Sequence, residues 1–549
     1  MKTILIGINA KYIHTNLALR YLYTYTNNSF DVEFVEFTIK NEIDYIITQI
    51  LSFKPDLIGF SCYIWNIEII SEIITQLKTK TKAKILLGGP EVYDVKHWFN
   101  DLPVDFIITG EGEYPFKQLL YALLENKSLN NIPQLHFCDN NKVHTNENTY
   151  FIDLNTLPSP YRLEVDLPEL KHRIQYIESS RGCPYHCSYC LASLEKNVRY
   201  FANIKSEISY LMKNGGKIFK FLDRTFNLRK DFALDMFTFI IDNHLPGCVF
   251  QFEITGELLD SEIIDFLNQH APKGLIRFEI GIQSTNDNTN KLVLRKQNFA
   301  KLKANIQKIQ KGGKIILHLD LIAGLPKENY QSFKKTFNDV FELRPEELQL
   351  GFLKLLRGTK LRKDAEQYHY TFQHHAPYEV IANDVITASE LNLIRSAEEI
   401  LEKYYNSHRF DTTLKYILDN YYPDDNYLFF EQFGEFYLKH YMKLGYQIYD
   451  LCERLLAFIN DPIVEQLLIY DYLHNAKTRP KIWFQPNVNK AEKHHIFNSL
   501  QNYSLDFLFR YTFVHKLAIN PLNFHLEACY LIKLFAPDNK KIIIIKDNQ

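Results

Sequence analysis

At 549 residues the chain exceeds what one hydrophobic core supports, so two or three domains are expected, and 46% hydrophobic with 23% charged residues is the balance of a soluble globular protein. A formal net charge of -2 gives no broad electrostatic footprint for nucleic acid, and no apolar run reaches the ~18 to 20 residues of a membrane span. The opening MKTILIGINAKYIH turns polar too soon for a signal peptide, so a cytoplasmic protein is expected, with neither membrane nor nucleic acid as partner.

Residues 1–135 alternate short apolar runs (KTILIGI, VEFVEF, LIGFSCY, KILLGG, DFIITG) with helix-like segments, the pattern of a doubly wound, Rossmann-like parallel sheet. Ligands of such sheets sit at the carboxyl ends of the strands. The residues there are Asn9, Ser61, Gly88-Gly89 with Glu91, and Gly110-Glu111-Gly112-Glu113. Their glycines permit close approach to a ligand, and they serve equally as strand-to-helix turns. Residues 136–170 carry prolines and polar residues without sustained periodicity, as a linker does.

A second alternating series fills residues 171–370, with six apolar runs from RIQYIESS to ELQLGFLK and helical segments between, implying a partial barrel. In three runs apolar residues alternate with polar ones: Gln251, Glu253 and Thr255; Arg277, Glu279, Gly281 and Gln283; His318 and Asp320. Charged groups facing a dry interior are costly unless paired or bound, so the barrel is expected to enclose a polar ligand; the alternative is an open sheet with those residues solvated. Residues 371–549 are rich in Tyr, Phe, Leu and Lys at helical spacing, so a mostly helical C-terminal domain follows, ending in a short strand at KKIIIIK.

Three of the eight cysteines lie within eight residues, as Cys183-Pro-Tyr-His-Cys187-Ser-Tyr-Cys190. Three thiolates satisfy three irons of a cubane cluster and leave the fourth open. A structural zinc site needs a fourth ligand; His186 is adjacent, but the next cysteine, Cys248, is far from any second-pair spacing. The segment from Arg181 to Cys190 resembles the cluster loop of the radical S-adenosylmethionine (SAM) superfamily, whose fold is a partial (β/α)6 barrel. That resemblance implies a 4Fe-4S cluster on Cys183, Cys187 and Cys190, with SAM on the open iron, cleaved to methionine and a 5'-deoxyadenosyl radical. Tyr189 would offer backbone hydrogen bonds to adenine. FLDRTFN, FEITGELLD, EIGIQSTN, LIAGLP and LRGT extend the likeness to about residue 362 and carry over Glu253, Gln283 and Ser284 as cofactor-binding positions, with Arg295 pairing the cofactor's carboxylate.

A doubly wound domain before such a barrel resembles the cobalamin-binding domain of one branch of the superfamily, and GGPE and GEGE look like its ligand loops. The resemblance makes Asn9, Ser61, Gly88, Gly89, Glu91 and Gly110 to Glu113 cobalamin-binding positions. Where relatives carry D-x-H-x-x-G this chain has Asn9-Ala-Lys-Tyr-Ile-His14-Thr-Asn16, so no histidine is expected on cobalt from this motif. The family likeness implies a radical SAM enzyme that methylates an unactivated carbon of a small molecule, drawing electrons from a flavodoxin- or ferredoxin-type donor. The alternatives are a radical rearrangement or redox reaction without methyl transfer, or a non-catalytic cobalamin sensor. A methylthiotransferase would need a second cluster, and only Cys62 and Cys138 precede the barrel motif. The C-terminal domain resembles an appendage of unknown role.

Overall fold

The computed structural model describes every residue except 140–141, 442–444, 537–539 and 548–549. The chain divides into two compact units, one of Met1–Thr336 with Leu350–Ala388 and one of Phe337–Gln349 with Ser389–Gln549.

The first unit opens on a seven-stranded sheet. Strand Thr3–Asn9 lies second from one edge, between Val32–Thr38 and Leu57–Ser61, followed by Lys84–Gly88 and Phe106–Ile108, all parallel. Every residue of TILIGIN is buried, as a strand covered on both faces requires. Successive side chains point to opposite faces, so Ile4, Ile6 and Ile8 pack with Ile70 and Ile74 of helix Ile67–Lys80. Leu5 packs with Leu19, Phe116 and Leu119 on the other face. The order reverses direction between the strands that end at Asn9 and Ser61, which is the crevice where such sheets bind ligands.

The sheet does not stop at 135. Leu135–Asp139 and Lys142–Thr145 add two antiparallel strands, so the expected linker over 136–170 begins inside the sheet; the polar KVHT lacks the apolar signal of a buried strand.

The second sheet holds six strands in sequence order: Ile174–Ile177, Ile218–Phe221, Val249–Ile254, Ile276–Gln283, Ile316–Ala323 and Glu347–Phe352, the last of which enters this unit at Leu350. Sequential order without reversal is the strand order of a partial barrel. Phe250, Phe252, Phe278, Ile280, Leu317 and Leu319 are fully buried, and Phe252 meets Phe237 of helix Lys230–Asn243 edge-on at 5.2 Å. The alternate positions, Gln251, Glu253, Arg277, Glu279, His318 and Asp320, are half-buried.

The second unit is mainly helical. Helix Asn426–Tyr441 puts Gly434 against the Ser396 backbone, where a Cβ would come within 2.7 Å, and a ring of aromatics around Phe433 fills the space beside it. Strand Cys529–Leu534 pairs with Thr512–Leu517 on one side and Ile542–Lys546 on the other, in an antiparallel sheet whose first two strands the helical spacing of this region concealed. No helix among the described residues is long and apolar enough to cross a membrane.

Candidate functional site

The first barrel strand, Ile174–Ile177, leads into Glu178-Ser179-Ser180-Arg181, and the cysteine loop follows at once. Asp223, buried at the end of the second strand, braces this approach: it accepts from the Ser179 amide (3.1 Å) and from the hydroxyls of Ser179 (2.7 Å) and Ser180 (2.5 Å). Gly182 then turns at φ 95°, so close to the Asn197 carbonyl that a Cβ would stand 2.3 Å from its oxygen. Backbone hydrogen bonds pin the loop itself. The Cys183 amide donates to Glu195 O (2.8 Å), the Ser188 amide to Val293 O (2.9 Å), and the Leu361 amide to Ser188 O (2.8 Å).

The three thiols are free, with Cys183 and Cys187 buried. Burial first, and then the neighbouring thiols, push the Cys183 and Cys190 thiols above their ordinary range. Buried thiols that repel one another on ionising are a donor set waiting for positive charge, which iron supplies. Among the described residues no three His, Cys, Asp or Glu side chains converge as ligands of a single ion; a cubane instead takes each thiolate on a different iron. The residues present fit the cluster.

The flanking strand ends shape the rest of this mouth. Arg295, folded back from the turn after helix Asp287–Leu292, donates to the Gly281 carbonyl and reaches the Tyr189 hydroxyl at 3.4 Å. Gln283 sits at φ 68° in a strand irregularity, and its buried Oε1 has no partner among the described residues, an orphan that a bound donor would satisfy. Ser284 is fully buried and its hydroxyl donates to Glu328 Oε1 (2.5 Å), so its side chain serves the protein. Burial pushes the Glu328 carboxyl up to about 7. Glu253, raised by burial, faces Arg224 at 4.0 Å. Below them the polar alternation forms a connected lining. Lys220 Nζ (3.0 Å) and Gln251 Nε2 (2.6 Å) both donate to Glu279 Oε2, and His318 lies between Arg277 (3.2 Å) and Asp320 (3.0 Å). Burial opposes ionisation of Glu279, but the Lys220 ammonium holds its carboxyl below the usual range.

At the sheet's carboxyl edge Asn9 donates to His14 O (3.1 Å) and Glu36 (2.9 Å), and Asn16 donates to Ser61 Oγ (2.9 Å). Gly89 turns at φ 112° against the backbone of Cys62, while Gly88 O accepts from the Cys62 amide (2.7 Å). Gly110 turns at φ 72° against the Gln134 side chain, and Gly112 precedes helix Glu113–Glu125. Beside Ser61, Trp65 stacks on Tyr63 with centroids 4.4 Å apart and remains 45% exposed, an apolar platform that suits the flat ring of a corrin. The crevice and its glycines fit cobalamin. His14 pairs through Nδ1 with the Tyr176 hydroxyl (2.7 Å), which ties its loop to the barrel.

The carboxylates of the two acidic turns point elsewhere. Glu91 Oε1 accepts from the Tyr378 hydroxyl (2.5 Å), with Arg357 at 3.8 Å. Glu111 and Glu113 pair with Arg181 (3.3 and 2.7 Å), and Glu111 also meets Arg199. Their side chains, expected to serve a cofactor, are committed to arginines and a tyrosine that sequence reasoning missed. Arg181 alone carried a signal, as the residue before Gly182-Cys183.

Comparison with known families matches residues 3–120 to the B12 binding domain, 177–340 to the radical SAM superfamily and 366–528 to a protein of unknown function family, DUF4080. An uncharacterized methyltransferase of Pyrococcus horikoshii is 28% identical over 238 residues, covering 40% of this chain and 51% of the relative. The cobalamin-dependent radical SAM methyltransferase TokK of Streptomyces tokunonensis is 25% identical over 341 residues, 57% of this chain and 49% of TokK. The chain thus spans about half the length of these relatives. The cobalamin-dependent SAM radical enzyme OxsB shares the fold, with a TM-score of 0.62 at 14% identity over 85% of this chain and 76% of that one. The 4Fe-4S cluster, SAM and cobalamin are the cofactors these domains bring.

Proposed function

We propose that this chain, a radical SAM protein with a B12 binding domain and a C-terminal DUF4080 domain, methylates an unactivated carbon of a small molecule, using electrons from a flavodoxin- or ferredoxin-type donor. The observation that carries the reading is the set of three free thiols at the mouth of a polar-lined barrel in the same compact unit as the doubly wound sheet. When bound, the cluster supplies the electron that cleaves SAM and cobalamin supplies the methyl carrier.

The chain's own residues bind and orient. Cys183, Cys187 and Cys190 hold the cluster. Arg295 offers a permanently charged fork to the carboxylate of SAM, and the orphaned Gln283 amide, Glu253 and the Tyr189 backbone surround the rest of the cofactor. Lys220, Gln251 and Glu279 form the floor against which a polar substrate would be placed, their partners already fixed before it arrives. The switch-point crevice of the first sheet takes cobalamin.

The test is anaerobic: the reconstituted protein is given SAM labelled in its methyl group, a reductant, and small-molecule extract from cells lacking the protein. Label appearing in a new compound, together with 5'-deoxyadenosine, is expected. 5'-Deoxyadenosine without any labelled product would overturn methyl transfer and leave a radical reaction of another kind.

A further inference from the structure

We infer that Glu91, Glu111 and Glu113 are positioning residues that clamp the cluster loop against the cobalamin-binding edge, setting the spacing of the two cofactors. The inference rests on the two-cofactor reading above.

The clamp grips the loop at both feet. Arg181 immediately precedes Gly182-Cys183, and its guanidinium is held by Glu113 (2.7 Å), Glu111 (3.3 Å) and Glu178 (3.0 Å). Arg199 closes the far end of the same loop; it shares Glu111 and also pairs with Glu195 (2.6 Å), whose carbonyl receives the Cys183 amide. One turn of the first sheet, Glu111-Gly112-Glu113, therefore fixes the stretch 181–199 that carries all three thiols.

The second acidic turn makes a third hold. Glu91 accepts from Tyr378, which in turn accepts from Arg357 Nε (3.0 Å), and Arg357 reaches Asp94 at 3.2 Å. The next residue, Gly358, turns at φ 90° in a gap where an added Cβ would meet Tyr93 at 2.9 Å and Leu191 at 3.5 Å. Leu191 directly follows Cys190, and Leu361 of the same turn bonds Ser188 O. The turn is thus wedged between the GGPE loop and the cysteines.

Buried Arg–carboxylate pairs suit this task. Separating them strands charge in a dry site, and the planar fork fixes direction as well as distance. Their side chains are only 3 to 8% exposed, and Oε1 of each is already engaged by an arginine or by Tyr378, which turns these carboxylates away from a neutral corrin.

The decisive experiment uses the holoenzyme with a reduced cluster and cob(II)alamin, two paramagnets whose separation pulsed dipolar EPR reads as a distance distribution. Glu113→Gln keeps shape and removes charge; at Glu91, whose carboxyl burial pushes up to about 7, Glu91→Leu removes the acceptor of the Tyr378 hydroxyl. Both are expected to retain iron and cobalamin while the narrow wild-type peak is lost to a broad spread. A peak as narrow as in the wild type overturns the inference, and so does loss of cobalamin from either folded variant, which would make the carboxylate a ligand. Hydrogen exchange on the cofactor-free chain gives an independent reading. Amides of 182–198 are expected to exchange faster in Glu113→Gln while those of the second unit do not change; unchanged loop amides also overturn the clamp. A wild type that binds the cluster but no cobalamin would overturn the two-cofactor reading instead, leaving the exchange result to decide whether the clamp exists.

Discussion

The cysteine loop and the acidic turns of the first sheet both stand out in the sequence, and the fold uses them in opposite ways. In the loop the backbone is tied down by Glu195, Val293 and Leu361 while the thiols stay free. In the turns the carboxylates are tied down by Arg181, Arg199 and Tyr378. A motif whose side chains are ligands can be read directly. A motif built on glycine turns speaks for its backbone, and its side chains depend on distant partners.

The largest effect that would sharpen this contrast is at the thiols. Cys183→Ala, Cys187→Ala or Cys190→Ala should each abolish SAM cleavage and lower iron per chain, with the fold retained by circular dichroism; cleavage surviving in any of them would break the comparison. Next comes Arg181→Leu, which leaves Glu113 and Glu178 without their cation while Glu111 keeps Arg199, and should cost about 3 to 5 kcal/mol in denaturant unfolding of the first unit.

A pH experiment follows. Glu328 is a buried acid whose carboxyl rises from its usual value of 4.5 to about 7, and desolvation is the cause. Because the folded value lies above the unfolded one, its contribution to stability is fully present below about pH 4.5 and is lost as pH rises through about 7, amounting to about 3 kcal/mol. Glu328→Gln still accepts from Ser284, so the stability difference between it and the wild type should shift in the variant's favour over that window. A difference constant from pH 4.5 to 7.5 would contradict the account. The smallest effect is expected at Arg295→Leu, where losing one charge-assisted contact should weaken SAM binding roughly 10-fold, measured by calorimetry on the cluster-loaded protein.

Much of this architecture was legible. Five apolar runs gave the parallel strands of the first sheet, and the alternation of Phe250, Phe252 and Ile254 with Gln251, Glu253 and Thr255 separated the packed face of the barrel from its lining. The strand Lys142–Thr145 was hidden because an edge strand needs no apolar run, and Thr512–Leu517 because its aromatic and aliphatic residues also fit a helix. The clamp was out of reach for a different reason. Glu113 and Arg181 lie 68 positions apart and Glu91 and Tyr378 lie 287 apart, so only the closed fold brings them together.

The cluster assignment is tested by anaerobic reconstitution of the whole chain with iron and sulfide, followed by EPR of the reduced protein and assay of SAM cleavage. The wild type should hold one 4Fe-4S cluster per chain, change its spectrum on adding SAM, and release 5'-deoxyadenosine. A wild type that binds no more iron than a variant lacking all three of Cys183, Cys187 and Cys190 would contradict it.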